Sequence, residues 1–191
     1  MFATALGVAL LASCGSQPAP GQLESENFET LFDGRTMDGW EPRGDAQWIV
    51  EDGYLTAVPA SGDGFLTTTG EFADYRLMVD FWVDETANGG IYLRVPATGR
   101  GVNPSYEVNI MDSHADWPTG SISSVARYDD ANSVGKWNTF DITVRGNHVT
   151  VLLDGTQVAD GEARRPASGR IALQKLGDGV IRYRNIRVMP L

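Results

Sequence analysis

The chain has 191 residues, with 22 glycines and 9 prolines, a composition that suits one domain of many short strands joined by turns. Its formal net charge of −10 at pH 7 argues against a nucleic-acid partner and against electrostatic docking on an anionic membrane surface, because both need clustered lysine and arginine. The sequence has no His/Cys cluster with zinc-ligand spacing and no glycine-rich phosphate loop. A neutral substrate is therefore favoured; no cofactor is required by the sequence, and a divalent cation is left open.

The first residues carry a candidate export and lipidation signal. Residues 1–13 form an uncharged apolar and small-residue run that is too short to span a bilayer, and Cys14 follows at once. This run resembles the end of a bacterial lipoprotein signal peptide, with residues 11–14 matching the lipobox. The resemblance implies cleavage before Cys14 and lipid attachment to its sulfur and new amino group. The alternative is an ordinary free thiol, since Cys14 is the only cysteine and cannot form an internal disulfide.

This signal divides the chain into three predicted parts. They are a signal peptide over residues 1–13, a flexible tether over 14–29 that carries the acylated Cys14, and a folded domain over 30–191. The tether is rich in Pro, Gly and Ser and then acidic, as expected of a linker. Gly15 stands where an inner-membrane retention signal would place Asp. We therefore expect an exported, lipid-anchored protein of the cell envelope, on the outer membrane or its periplasmic face if the source has an outer membrane.

The folded domain is predicted to be all-β. Apolar and polar residues alternate with period two through short runs, and Gly, Asp and Asn turns separate these runs. The strongest turn signal is Asp154-Gly155. The predicted strands cover residues 54–58, 64–68, 74–84, 88–95, 106–111, 137–145, 148–153, 156–159, 169–175 and 180–189. About a dozen short strands at this spacing predict an antiparallel two-sheet sandwich.

Two strands within residues 88–114 collect polar groups on one face. Alternation places Tyr92 and Arg94 opposite the apolar side of the first strand, and it does the same for Glu107 and Asn109 in the second. An aromatic ring, a guanidinium, a carboxylate and an amide on one face can hydrogen-bond a polyhydroxylated ligand. The alternatives are a merely solvated sheet face and, for Arg94 with Glu107, an ion pair that ties the strands together.

The longest alternating run, residues 74–84, adds a carboxylate and an indole. Asp80 and Trp82 project from the same side of this run. We expect that side to belong to the face that carries Arg94 and Glu107. A tryptophan ring beside carboxylates can stack on the apolar side of a pyranose, and the alternative is that Trp82 only covers the sheet.

Several segments occur in a characteristic order along residues 30–191. They are LFDG…GW, WIVEDGYL, ADYRLMVDFWV, NGGIYLR, YEVNIMD, KWNTFDITVRGNHVTVLLDG and GRIALQ…RYRNIRV. This ordered set resembles the bacterial 3-keto-disaccharide hydrolase family. The resemblance implies a concanavalin A-like jelly-roll sandwich, export or lipid anchoring, and activity on 3-keto-glycosides.

The resemblance also implies a particular chemistry. A ketone at C3 of a sugar acidifies the C2 hydrogen, so that a base can form an enediolate that expels the C1 substituent, and water then adds back. Such a site needs a base near C2 and a cation or donor against the enolate oxygen. Arg94 suits the enolate role, and Glu107 is the base or a ligand to sugar hydroxyls. Asp112 and His114, where the second strand enters a loop, are further catalytic candidates. The residues expected to bind the sugar are Asp80, Trp82, Tyr92, Asn109 and Gln174.

One position departs from the family pattern. Family members often carry His two residues after the Gln of the last motif, whereas Leu176 follows Gln174-Lys175 here. If that histidine is a base or a metal ligand in relatives, another group such as His114 replaces it in this chain, or activity is lost.

Three functions follow from these observations. The leading hypothesis is a lipid-anchored, monomeric enzyme that cleaves 3-keto-glycosides and touches the membrane only through its anchor. The second is a non-catalytic carbohydrate-binding domain on the same sandwich, because one fold can serve both roles. The third, a structural or adhesion module of the cell envelope, rests on the lipobox alone.

Overall fold

β-Strands are the only extended regular structure in the described part of the chain. The computed structural model describes residues 28–98, 102 and 104–191, so Cys14 and the predicted signal peptide lie outside the described residues. The strands are β1 (Glu29–Thr30), β2 (Trp40–Gly44), β3 (Trp48–Glu51), β4 (Tyr54–Ala57), β5 (Gly64–Thr68), β6 (Tyr75–Val83), β7 (Asn88–Val95), β8 (Tyr106–Ile110), β9 (Trp137–Arg145), β10 (His148–Leu153), β11 (Thr156–Glu162), β12 (Arg170–Leu176) and β13 (Ile181–Pro190).

The turns form where the sequence predicts them. Strands β10 and β11 are joined at Asp154-Gly155, whose φ angles of 50° and 81° are those that a two-residue type I′ turn requires. Gly155 adopts this backbone without a Cβ clash. The Asp154 carboxylate also accepts the backbone N–H of Thr139 at 2.8 Å, which ties the turn to β9.

The strands pair into two sheets, and every pairing between strands is antiparallel. The eight-stranded sheet has the order β11-β10-β9-β6-β13-β4-β3, with β1 added beside β13. The five-stranded sheet has the order β2-β5-β12-β7-β8. The predicted all-β, antiparallel two-sheet sandwich is thereby confirmed.

The hydrophobic core lies between the two sheets. In β6 and β9, buried residues alternate with half-buried ones, as the period of a strand requires. Phe81 of β6 and Phe140 of β9 stack with their ring centroids 4.6 Å apart, and both side chains are fully buried. Burying each ring stabilises the fold by about 1.5–3 kcal/mol. Each sheet therefore has an outer face that points away from the core, and the two outer faces are on opposite sides of the molecule.

A bulge interrupts the alternation of β7. Tyr92 pairs with Ala172 of β12, but the next pair joins Val95 to Arg170, so that two residues of β7 lie opposite one residue of β12. Arg94 has a φ of 60°, in the left-handed region that a bulge can impose. As a result Val95 packs with Tyr92 in a small cluster apart from the main core. The bulge thus reverses the face on which residues after Leu93 lie.

Candidate functional site

Four polar side chains meet on the outer face of the five-stranded sheet. Cross-strand pairing places Glu107 of β8 opposite Tyr92 of β7, and Asn109 opposite Gly90. Gln174 of β12 pairs with Gly90 from the other side. We call Tyr92, Glu107, Asn109 and Gln174 the polar patch.

Gly90 makes room for the carboxylate of the patch. A Cβ at this position would lie 3.2 Å from Oε1 and 3.3 Å from Cγ of Glu107. The Glu107 side chain therefore leans over the backbone of Gly90, between the strands that carry Asn109 and Gln174. A glycine is needed here for close approach, and a side chain would displace the carboxylate.

Hydrogen bonds link three members of the patch. Gln174 Nε2 donates to the Tyr92 hydroxyl at 3.2 Å, and that hydroxyl donates to the Glu107 carboxylate. Burial raises the pKa of Tyr92 well above its ordinary value, and the negative charge of Glu107 raises it further. Tyr92 therefore stays a neutral O–H donor at every physiological pH.

A buried acceptor marks the same face. Oε1 of Gln174 has no hydrogen-bond partner among the described residues, although the residue is only 4% exposed. The hydroxyl of Thr67 on the neighbouring strand β5 is fully buried and also has no hydrogen-bond partner among the described residues. Leaving a buried polar atom unpaired costs about 1–3 kcal/mol, so such atoms are normally paired with an ordered water or a ligand.

One wall of the site is the segment that follows β7. Arg43 of β2 donates to the backbone oxygens of Pro96 at 3.1 Å and Ala97 at 2.9 Å. Because β2 and β7 are separated by two strands, this segment crosses the outer face of the sheet. Phe65 packs edge-on against Tyr92 with ring centroids 5.4 Å apart.

An open cavity of about 620 Å³ lies beside Phe65, at the β2 end of this face. Arg43, Asp45, Asp63 and Leu176 are among its lining residues. Leu176 thus lies on the candidate site face, at the position where the family resemblance leads one to expect a histidine. An aliphatic side chain there can neither accept a proton nor bind a metal.

The prediction that Arg94 shares a face with Glu107 is wrong, because the β7 bulge turns Arg94 away. Its side chain is 1% exposed and reaches the end of the other sheet. Arg94 Nη2 pairs with the Asp74 carboxylate at 2.8 Å, and Nε donates to the Ala73 oxygen at 2.8 Å. Nη1 donates to the backbone oxygens of Gly146 at 2.5 Å and Pro166 at 3.2 Å. These contacts engage four of the five N–H donors of the guanidinium, and the side chain is buried away from the polar patch.

The prediction that Asp80 and Trp82 line the same face is also wrong. Both belong to β6 in the eight-stranded sheet, so the hydrophobic core separates them from the polar patch. The Asp80 carboxylate accepts from Thr139 Oγ1 at 2.8 Å and Asn185 Nδ2 at 2.6 Å. Alternation gives the side of a strand from which a residue projects, but not the sheet to which the strand belongs.

Asp112 holds the loop that follows β8. Its carboxylate accepts Ser133 N–H at 2.7 Å and the Ser133 hydroxyl at 2.6 Å. Burial acts to raise the pKa of Asp112, but hydrogen bonds from Ser133, Thr119 and backbone amides outweigh it and leave the pKa below its ordinary value. An ionised, hydrogen-bonded carboxylate of this kind stabilises the loop and makes a weak general base.

His114 is also engaged within this loop. Its Nδ1 accepts the backbone N–H groups of Trp117 at 3.0 Å and Asp116 at 3.2 Å. The loop is joined to the patch because Asn109 Nδ2 donates to the Trp117 oxygen. Asp112 and His114 therefore position the loop beside the patch, and their predicted catalytic roles stay predictions.

The structure thus brings together four of the residues that the sequence singles out, which are the members of the polar patch. Sequence reasoning missed Gly90, Arg43 and Phe65. The NGG run at the start of β7 was a usable signal for Gly90, since a glycine inside a strand often marks a close approach.

Two further features are absent from residues 28–98, 102 and 104–191. No group of three or more His, Cys, Asp or Glu side chains is arranged there to hold a metal ion. No helix in the same ranges is long and apolar enough to cross a membrane.

Known proteins of similar shape include carbohydrate-active ones. A structure from Parabacteroides distasonis ATCC 8503, described as a candidate glycosyl hydrolase, has a TM-score of 0.77 at 17% identity, covering 91% of this chain and 98% of that one. The carbohydrate binding module CBM66 from Bacillus subtilis has a TM-score of 0.64 at 18% identity, covering 79% of this chain and 95% of that one. At these identities the likeness shows the fold.

Sequence comparison identifies the family. A 3-keto-disaccharide hydrolase of Bacteroides thetaiotaomicron is 26% identical over 156 residues, covering 64% of this chain. The chain spans about half the length of that relative, 54% of it. A family model described as the 3-keto-alpha-glucoside-1,2-lyase-like domain matches residues 27–189. The family resemblance expected from the ordered motifs is confirmed, and the chain belongs to the family of 3-keto-alpha-glucoside-1,2-lyase-like domains.

Proposed function

We propose that this protein cleaves 3-keto-glycosides at the polar patch. The observation that carries the proposal is the placement of the Glu107 carboxylate over Gly90, beside Tyr92 and Gln174, on the outer face of the five-stranded sheet. A base, a neutral donor and amide groups are the parts that elimination next to a ketone requires.

The proposed reaction begins at C2 of the oxidised sugar. A base removes the C2 proton, and the C2–H electrons form the enolate with the C3 ketone. When the ketone re-forms, the double bond moves to C1–C2, and the C1–O bond breaks to release the leaving group, which takes up a proton. Water then adds at C1 and a proton returns to C2, so the sum is hydrolysis with no change in oxidation state.

Each role is assigned to a residue of the patch. Glu107 is the base, since it is the only carboxylate among the four patch residues. The Tyr92 O–H is kept protonated by burial and by Glu107. As Glu107 takes up the C2 proton, this O–H turns from the carboxyl group to donate to the enolate oxygen, where negative charge develops. The amides of Gln174 and Asn109 bind sugar hydroxyls, and the unpaired Oε1 of Gln174 provides an acceptor for one of them.

Turnover of a 3-keto-glucoside by the purified folded domain tests this function. We expect free 3-keto-glucose or its 2-hydroxyglycal to appear in the presence and in the absence of a chelator. Intact substrate after prolonged incubation under both conditions would contradict the proposal. Loss of turnover with chelator alone would show that a divalent cation takes part.

A non-catalytic carbohydrate-binding domain is the second candidate. It is favoured by Leu176, which leaves an aliphatic side chain where relatives often carry His. The similarity in shape to a carbohydrate binding module is compatible with this function. Saturable binding of the 3-keto-glucoside without any product would support this candidate over the enzyme.

We also propose that Cys14 is the lipid-bearing amino terminus of the mature protein. The motif Leu11-Ala12-Ser13-Cys14 after an apolar run supports this assignment. Intact-mass spectrometry of the protein from its native membrane should show an amino-terminal, acylated Cys14. A mature terminus at any other residue, or an unmodified Cys14, would contradict it.

A further inference from the structure

The outer face of the eight-stranded sheet carries three arginines from one strand. Arg182, Arg184 and Arg187 of β13 alternate with residues buried in the core, so they project from the outer face. A bulge between Arg184 and Arg187 keeps the third arginine on the same side as the first two. Neighbours along this arginine stripe are roughly 7 Å apart or slightly more, given the rise of a strand.

Two of these three charges have no anionic partner among residues 28–98, 102 and 104–191. Arg184 Nε pairs with the Asp80 carboxylate at 3.2 Å. No carboxylate of the described residues lies within ion-pair distance of Arg182 or Arg187. Arg187 instead donates to the Met78 sulfur at 3.1 Å. In a chain with a net charge of −10, this stripe is a local excess of positive charge.

Aromatic rings lie beside the stripe. Trp82 and Trp137 are cross-strand partners, and both are half-buried. The Arg182 guanidinium lies 5.0 Å from the centre of the Trp82 ring, and the Arg184 guanidinium lies 4.0 Å from that of Trp137. The stacking fixes each guanidinium in place, and its N–H groups stay available for a ligand at the edge of the stack.

We propose that this face binds an acidic oligosaccharide, with uronate carboxylates pairing with Arg182 and Arg187 and a pyranose ring against Trp82. Planar guanidinium groups match carboxylates in a bidentate manner, and indole edges and faces suit the C–H groups of a sugar. Repeated carboxylates along a chain match a row of cations. Asp80 neutralises the charge of Arg184, so the positive charges of Arg182 and Arg187 are the ones that can pair with the ligand.

An anionic bilayer is a poorer match to this surface. A bilayer is extended and meets charges over the whole width of a molecule whose net charge is −10, whereas a short glycan on the stripe meets only charges within about 10 Å, the screening length at moderate salt. The proposed surface also lies across the core from the polar patch. It is therefore independent of the proposed cleavage of 3-keto-glycosides.

Calorimetric titration with tetragalacturonate tests the proposal, with maltotetraose as the neutral comparison. We expect tetragalacturonate to bind at least about tenfold more tightly than maltotetraose, with a Kd that rises with salt. Arg182→Gln and Arg187→Gln should each raise this Kd about tenfold, because each removes a charge-assisted pair. Arg35→Gln, at an exposed loop position outside the sheet, is the matched control and should leave the Kd unchanged.

Several outcomes would overturn this inference. They are the absence of saturable binding, equal affinity for maltotetraose, and equal Kd values in the stripe variants and in Arg35→Gln. Binding to phosphatidylglycerol vesicles without binding to tetragalacturonate would point to a membrane and equally reject it. Thermal melts of each variant separate loss of binding from loss of folding. Turnover of a 3-keto-glucoside by Arg182→Gln should match the wild type, so that failure here and failure of the proposed function can be told apart.

Discussion

Replacing Arg94 with Ala is expected to lower the free energy of unfolding by about 3 kcal/mol, the largest stability change that we predict, because buried acceptors lose their donor. The side chain is 1% exposed and pairs with Asp74 at 2.8 Å. Its removal also leaves the backbone oxygens of Ala73, Gly146 and Pro166 without their donor. Chemical denaturation, followed by tryptophan fluorescence, measures the change.

The matched control for this experiment is Arg35→Ala. Arg35 is exposed, and no hydrogen bond from its guanidinium joins it to the described structure, so its loss should leave the unfolding midpoint nearly unchanged. If Arg94→Ala unfolds at the wild-type denaturant concentration and yet loses turnover, the guanidinium serves catalysis and the structural role assigned to it here is wrong.

Replacing Glu107 with Gln is expected to lower kcat on a 3-keto-glucoside by about a hundred- to ten-thousandfold, the contribution typical of a general base. The amide has nearly the same shape as the carboxylate and can still accept the Tyr92 O–H, but it cannot take the C2 proton at neutral pH. The fold and the Kd for substrate should change little. Steady-state kinetics and a thermal melt of the same preparation measure both effects.

Glu41→Gln supplies the control for this variant. Glu41 lies on the same outer face at the far strand β2, where it pairs with Arg170 at 2.7 Å and is largely exposed. Its loss should leave kcat almost unchanged, since exposed ion pairs contribute little. Equal kcat values for wild type and Glu107→Gln would remove Glu107 from the mechanism and direct attention to Asp112 and His114.

The sandwich could be predicted because alternation and turn chemistry act locally. Buried and half-buried residues alternate along the whole of β6 and nearly all of β9. Asp154-Gly155 forms the turn because both residues tolerate the positive φ angles that a type I′ turn requires. The placement of Tyr92 and Glu107 on one face of neighbouring strands also followed from local information, since one connection joins their two strands.

The predicted positions of Arg94, Asp80 and Trp82 were wrong because they depend on how the strands pair over long distances in the sequence. A bulge adds one residue to β7 and reverses the face of Arg94, and no feature of the sequence NGGIYLRV announces it. Asp80 and Trp82 project from the predicted side of β6, but β6 pairs with β9 and β13, strands that come much later in the chain. Sheet membership depends on such long-range pairing, and the period of one strand carries no information about it.

The central claim, that cleavage begins with removal of the C2 proton, is tested most directly by turnover in D₂O. A 3-keto-glucoside with hydrogen at C2 is cleaved by the wild-type domain, and the product is examined by proton NMR. Incubation of 3-keto-glucose alone for the same time corrects for uncatalysed exchange. The account predicts that each product molecule carries solvent deuterium at C2. Product that retains its original C2 hydrogen would contradict it and indicate direct displacement at C1.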